Sequence, residues 1–222
     1  MPTKNSPFAP RKEPVQARSR MTVKAILEAT AQVLVANGYE RAGTDAIAAL
    51  AGVSIGTLYQ YFPNKESLVA TLIRNHVDEV IHMIEAVLNE NQNTLPETAL
   101  AAMILASVEA HRINPPLHKV LFEQVPRKQI LAEALDVGGK LQAMIESFLR
   151  KKSPNISRAR ARMIALVIET TIEALTHRAI IETPDWLRTG QLEHEANKLL
   201  RPYLLSSLQG IEEIPESDER LD

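Results

Sequence analysis

The sequence predicts an all-α chain, and three observations carry that reading. From Arg18 onward, apolar residues recur at helical spacing. No run of alternating β-branched residues bounded by turns occurs. Ala, Leu, Glu, Gln, Met and Arg dominate, and all six favour helices. The 222 residues are 45% hydrophobic and 23% charged, so the chain can bury a real core. This composition sets aside whole-chain disorder, collagen and fibrous coiled coil. The absence of cysteine removes disulfide frameworks, cysteine nucleophiles and thiolate metal sites. No apolar stretch approaches the length of a membrane span, and residues 1–20 lack the apolar core of a signal peptide. A soluble, cytoplasmic protein is the expectation.

Local punctuation gives about nine helices. Pro2, Pro7, Pro10 and Pro14 make residues 1–17 a flexible basic arm rather than a helix. A first helix is expected over 18–36, ended by Asn37-Gly38 acting as an αL cap. Thr44 opens a short second helix to about Ala51, stopped by Gly52, and Ser54 caps a third to Tyr61. Asn64 caps a fourth, about 65–90, with Leu68, Leu72, Ile73, Val77, Val80, Ile84 and Leu88 as its apolar stripe. The prolines at 96, 115, 116, 126, 154 and 184 then divide the rest into helices at about 97–113, 117–124, 127–151, 157–182 and 187–207. Gly138-Gly139 falls inside the seventh; it kinks that helix, makes room for a ligand or breaks it in two. Residues 211–222 form an acidic tail. The implied organisation is a three-helix unit at 18–64 followed by a larger helical bundle at 65–210.

Charge is distributed unevenly. Residues 1–66 hold eight Lys/Arg against five Asp/Glu, a balance of +3, while residues 67–222 hold seventeen against twenty-two, a balance of −5. A basic front on an acidic body suggests an anionic partner for the first sixty residues, with a solvated tail as the plainer alternative.

Thr44 through Phe62 carries the chemistry. Two short helices flank a tight turn, Ala48 is small where they must approach, and Gly52 can take a positive φ. Ile47, Val53 and Leu58 point into one shared core. That is the geometry of a helix-turn-helix, whose second helix enters the major groove of double-stranded DNA. Ser54, Ile55, Thr57 and Gln60 avoid the Leu58 face. Gln60 suits an adenine edge, and Thr57 a phosphate or a thymine methyl. Gly56 costs ~1 kcal/mol inside a helix relative to Ala, so its bare backbone should serve a close approach, to DNA or to the first helix. Tyr59 and Tyr61 place hydroxyls where phosphates would lie. Lys65 is an unfavourable cation in a first helical turn, which an anionic partner would explain. Thr44, with the free N–H groups of its helix, is a second phosphate clamp. Phe62 reads as closing the small core.

The run Asn37-Gly38-Tyr39, Thr44, Ile47-Ala48, Ala51-Gly52-Val53-Ser54, Gly56-Thr57-Leu58-Tyr59, Tyr61-Phe62 and Asn64-Lys65-Glu66 with Leu68 resembles the N-terminal domain of the TetR/AcrR family of transcriptional regulators. The resemblance covers about residues 18–70. It implies an all-α homodimer, usually a repressor, released from its operator by a small molecule. Carried over by position, it implies DNA contacts at Thr44, Ser54, Thr57, Tyr59, Tyr61 and Lys65. Ile55 departs from the lysine or other polar residue of many relatives and suggests an apolar contact to a thymine methyl. The segment from His111 to Pro126 is similar to segments in some regulators of this family.

For the body, pairing through about 157–207 would form a two-fold dimer that reads two half-sites of a palindrome. A pocket for a small-molecule effector is expected among the fourth to eighth helices. Met83, Met103, His111, His118, Phe122, Met144 and Phe148 are the candidate lining, each also compatible with plain core. The six histidines contain no i, i+4 pair, and we expect no metal site, although His111 and His118 flank a proline break and could meet in space. No nucleophile elbow, zinc-protease helix or Walker loop is present, so neither catalysis nor a cofactor is expected. Two alternatives stay open at this point: a DNA-binding regulator with a protein or other non-small-molecule signal, and a helical carrier or enzyme whose front only resembles a DNA reader.

Overall fold

The computed structural model describes residues 10–11 and 16–209, and the side chains of these except 127–137. Among the described residues it is all-α, with ten helices: α1 (Ala17–Arg41), α2 (Thr44–Leu50), α3 (Ile55–Tyr61), α4 (Lys65–Glu90), α5 (Pro96–Arg112), α6 (Pro115–Gln124), α7 (Arg127–Lys152), α8 (Arg158–Glu182), α9 (Pro184–Thr189) and α10 (Gln191–Gln209). The acidic tail expected at 211–222 and most of the arm expected at 1–17 lie outside the described residues.

Helix starts follow from side-chain chemistry. Pro96, Pro115 and Pro184 each open a helix, where the missing N–H costs nothing and φ is already set. Ser54, Asn64, Asn114 and Ser157 accept from the backbone N–H groups of Thr57, Ser67, Leu117 and Arg160 at 3.0, 2.8, 3.2 and 3.2 Å. Each side-chain oxygen thereby satisfies an otherwise orphaned helix donor.

Glycines account for the differences from the sequence reading. Gly38 has φ 74° and ψ 168°, so it kinks α1 rather than forming the expected αL cap, and a last helical turn continues to Arg41. The expected ninth helix at 187–207 is two helices, because Gly190 adopts αL at φ 74°, ψ 5° between α9 and α10. Pro184 opens the first of these rather than only breaking its predecessor. Gly138-Gly139 does not split α7. A Cβ on Gly138 would meet Glu169 Oε1 of α8 at 3.3 Å, so this glycine permits the close approach of α7 and α8.

Two cores result. The body core gathers Leu100, Ile104, Ile164, Ile168 and Leu200 from α5, α8 and α10, with Phe148 of α7. The front core gathers Ile26 and Leu34 of α1, Ile47 of α2, Leu58 of α3, Phe62, and Leu68 of α4. It also takes in Val120 and Leu121 of α6 and Val125 just beyond it, so the front core reaches well past residue 64.

The C-terminal end of α1 is held from two sides. The Tyr39 N–H donates to Gln124 Oε1 at 2.9 Å. Lys65 Nζ donates to the carbonyls of Tyr39 and Glu40 at 2.7 and 3.3 Å, and lies 4.4 Å above the Tyr39 ring. Cations are favourable at a helix C-terminus and over an aromatic face. Gln124→Ala removes the Tyr39 acceptor and should lower stability by about 1 kcal/mol in urea titration. Exposed Glu123→Ala next to it should be silent. Equal stability of the two variants would refute the grip.

Candidate nucleic-acid interface and effector cavity

The α2–α3 pair is held by the features its sequence advertises. Gly52 has φ 67°, and a Cβ added there would meet nothing within 4 Å, so backbone freedom alone requires glycine at this turn. The turn closes with Gly52 N–H to Ala49 O at 3.2 Å and Val53 N–H to Ala48 O at 3.0 Å. Ala48 and Ile47 are buried beneath it and Leu58 anchors α3. Tyr59 Oη and Thr44 Oγ1 share a hydrogen bond of 3.0 Å, tying α3 to the start of α2. Ser54 Oγ and Thr57 Oγ1 are 2.8 Å apart.

The outer face of α3 is open. Ser54, Ile55, Gly56, Tyr59 and Gln60 are exposed, and Thr44, Thr57, Tyr61 and Lys65 are partly so. Phe62 is buried in the front core as expected. Two expectations change. Lys65 needs no external anion to explain its position, because the carbonyl end of α1 satisfies it. A Cβ on Gly56 would meet only Ser54 Oγ, at an ordinary 3.8 Å; packing against the first helix therefore does not require glycine there. Sequence reasoning missed Arg11, whose N–H donates to Tyr61 O at 2.8 Å and whose guanidinium reaches Tyr59 O at 3.4 Å. Arg11 is thereby seated against the end of α3.

A cavity of about 170 Å³ lies among α4, α5, α6, α7 and α8. Ile73, Val77, Val80, Ile84, Leu141 and Ile145 form its apolar wall. Four of the seven expected lining residues are there: Met103, His111, His118 and Phe122. The other three are not. Met83 and Met144 pack against the body core and Phe148 lies inside it, because Leu141 and Ile145, not Met144 and Phe148, are the α7 residues turned to the cavity.

The polar end was largely missed. It holds His76, Ser107, Glu169, Glu173, Thr176 and His177 beside His111 and His118. The signal was present: His76 interrupts the apolar stripe of α4, and Glu169, Glu173 and His177 repeat every four residues along α8. The rings meet edge to face or tilted. His76 lies 5.0 Å from His111 and 4.2 Å from His118, and His111 lies 4.9 Å from both His118 and His177. Phe122, half exposed, stacks on His177 with ring centroids 4.9 Å apart. Burial, then neighbouring imidazoles, hold His76 and His111 down to about 4 and His118 to about 2; burial first also holds His177 to about 4. At neutral pH these rings are therefore uncharged. His111 Nδ1 donates to Ser107 O at 2.7 Å. Burial, and then the Glu169 carboxylate, raise the Glu173 carboxyl, while Glu169 accepts from Gln142 Nε2 at 2.8 Å.

Known proteins place this architecture. The family model "Bacterial regulatory proteins, tetR family" matches residues 26–72, and "Tetracyclin repressor-like, C-terminal domain" matches residues 94–204. The fatty acid metabolism regulator protein of Bacillus subtilis is 33% identical over 75 residues, covering 34% of this chain and 39% of that protein. The transcriptional activator FasR of Mycolicibacterium smegmatis is 28% identical over 143 residues, 64% of each chain. The nucleoid occlusion factor SlmA of Shewanella amazonensis is 28% identical over 131 residues, 58% of this chain and 66% of that one. The chain thus spans between about two fifths and two thirds of these curated relatives. A transcriptional regulator from Rhodococcus shares the fold at TM-score 0.67 and 20% identity, over 83% of this chain and 96% of its own. The fatty acid degradation regulator FadR of Bacillus halodurans does so at 0.60 and 21%, over 86% and 96%. No described helix is long and apolar enough to cross a membrane. The helix-turn-helix of α2 and α3, the helical body behind it and the two family matches together make this chain a member of the TetR family of DNA-binding transcriptional regulators.

Proposed function

We propose that the chain is a homodimeric repressor that reads a palindromic operator with α3 and leaves it when a small molecule enters the cavity. The observation that carries this reading is that two residues serve both halves. Leu121 of α6 and Ile73 of α4 each line the cavity and pack with the front core. A change of shape at the cavity wall must therefore press on the elements that hold α3. Besides α4, which runs from the front unit into the body, α6 grips α1 through Gln124 and is a second path.

The effector is a small, mostly apolar molecule with one polar group directed at the histidines. A volume near 170 Å³ takes a molecule of about benzene's size, and a longer one requires the cavity to widen. Two relatives named for fatty acid metabolism or degradation make an apolar effector a natural choice. Release is a population shift: the effector binds the form with misplaced reading heads more tightly than the DNA-bound form.

Ser54, Ile55, Gly56, Thr57 and Gln60 form the base-reading face; Thr44, Tyr59 and Tyr61 contact phosphates. Lys65 acts on DNA at most indirectly, by fixing α1. Pairing runs through α8 and α10, where Met163, Leu166 and Leu199 are large, apolar and 42–58% exposed.

Selection of duplexes from a random pool should yield a palindrome with half-sites about 10 base pairs or a multiple apart, and affinity should fall steeply with salt. Recovery of a single unpaired half-site, or no sequence preference, would defeat the reading. The double variant Met163→Lys, Leu199→Lys should sediment as a folded monomer and bind the palindrome at least ~tenfold more weakly; an unchanged dimer would move the interface elsewhere. Gly56→Ala should stabilise the chain by up to about 1 kcal/mol in thermal unfolding. It should also weaken duplex binding by roughly tenfold or more, since a Cβ would stand between backbone and DNA. Undiminished binding would show that no close approach is made there.

A further inference from the structure

We propose that the polar end of the cavity is a metal site, in which His76, His111 and His118 bind one divalent transition-metal ion of the Zn²⁺ class. One ring nitrogen from each of the three lies within 4.8 Å of the others. Three atoms at that limit stand about 2.8 Å from a common centre, so each ring needs to move by less than about 1 Å to reach a metal–nitrogen bond of about 2.0–2.1 Å. The ligands come from α4, α5 and α6. The sequence hides this set, because no two of the three share a helix.

Three features point to a metal rather than to packing alone. His111 donates through Nδ1 to the Ser107 carbonyl; this fixes its tautomer and leaves Nε2 as a bare lone pair, the usual outer-shell arrangement of a metal-binding histidine. Among the described residues neither the His76 nor the His118 ring, both half-buried against the cavity, has a hydrogen-bond partner. An apolar residue would fill either position without taking ring nitrogens partly out of water. Finally, Glu169 and Glu173 line the same cavity and offset the charge of an entering cation.

Three imidazoles leave one position of a tetrahedral ion for water or for the polar group of an effector. The all-nitrogen donor set favours Zn²⁺, Cu²⁺ or Ni²⁺ over Mg²⁺ or Ca²⁺. This inference rests on the reading of the cavity as the effector site only for its regulatory consequence; ligation itself is independent of DNA.

The test uses the untagged full chain, stripped with a chelator and titrated with Co²⁺, then with Zn²⁺ as competitor. The expected result is one Co²⁺ per protomer, with the strong visible bands of four-coordinate cobalt, displaced by Zn²⁺. His76→Gln, His111→Gln and His118→Gln should each weaken binding by at least ~tenfold, while His82→Gln and His194→Gln, on exposed rings, should not. X-ray absorption on the unaltered Zn²⁺-loaded chain should show three imidazoles, a readout independent of whether any variant folds. Absence of saturable binding, binding that survives all three cavity variants, or an imidazole count of one or none would overturn the proposal. Operator binding with and without Zn²⁺ separates the two readings. Ion bound with unchanged DNA affinity sinks the effector role of the ion and not the ligation; no ion bound, but release by an organic ligand, does the reverse.

Discussion

Everything that α3 can do depends on where α1 ends. The last turn of α1 is gripped by a hydrogen bond from its backbone to Gln124 of α6 and by the Lys65 ammonium of α4 on its carbonyls. Gly38 permits this grip. Its φ of 74° turns the chain, and a Cβ there would meet Gln124 Oε1 at 2.7 Å. α2 packs on α1, and α3 packs on α2. The reading head therefore inherits its position from two body helices, and those two helices also wall the cavity.

On the proposed reading, regulation is a question of where strain goes. Packed cores are close to crystalline in density and transmit displacement rather than absorb it. Leu121 is buried against the front core on one side and lines the cavity on the other. His118 lies three residues before it in α6, and Gln124 three residues after. One helix of ten residues thus carries a cavity ligand candidate, a shared core residue and the acceptor that fixes α1. On the proposed reading no long lever is required, because a shift or rotation of α6 would act directly on the end of α1 through Gln124.

The sequence makes the reading head almost completely legible, because its constraints are local. A turn glycine, a small helix-contact residue, an N-cap serine and three core positions all act within nineteen residues, and the structure uses Gly52, Ala48, Ser54, Ile47 and Leu58 as that pattern implies. Helix limits were legible for the same reason, since prolines and caps act on their own neighbours; Gly38 was misread because a positive φ serves both to cap and to kink, and the αL cap at Gly190 was passed over. The intramolecular partners of Lys65 were not legible because they are twenty-five and twenty-six residues away. The cavity was half legible. Single residues in the 111–126 segment could be suspected, but the histidine cluster exists only where α4, α5, α6 and α8 converge, and no spacing along one helix encodes it.

The most direct test of coupling uses its reciprocity: whatever lets the cavity act on DNA must let DNA act on the cavity. Hydrogen exchange on the full chain, with and without a selected operator duplex, reads this without knowledge of the effector. We expect slowed exchange over α2 and α3 to be accompanied by slowed exchange in the end of α1 and throughout α6. Protection confined to residues 44–62, with α6 exchanging at the same rate in both samples, would contradict the account.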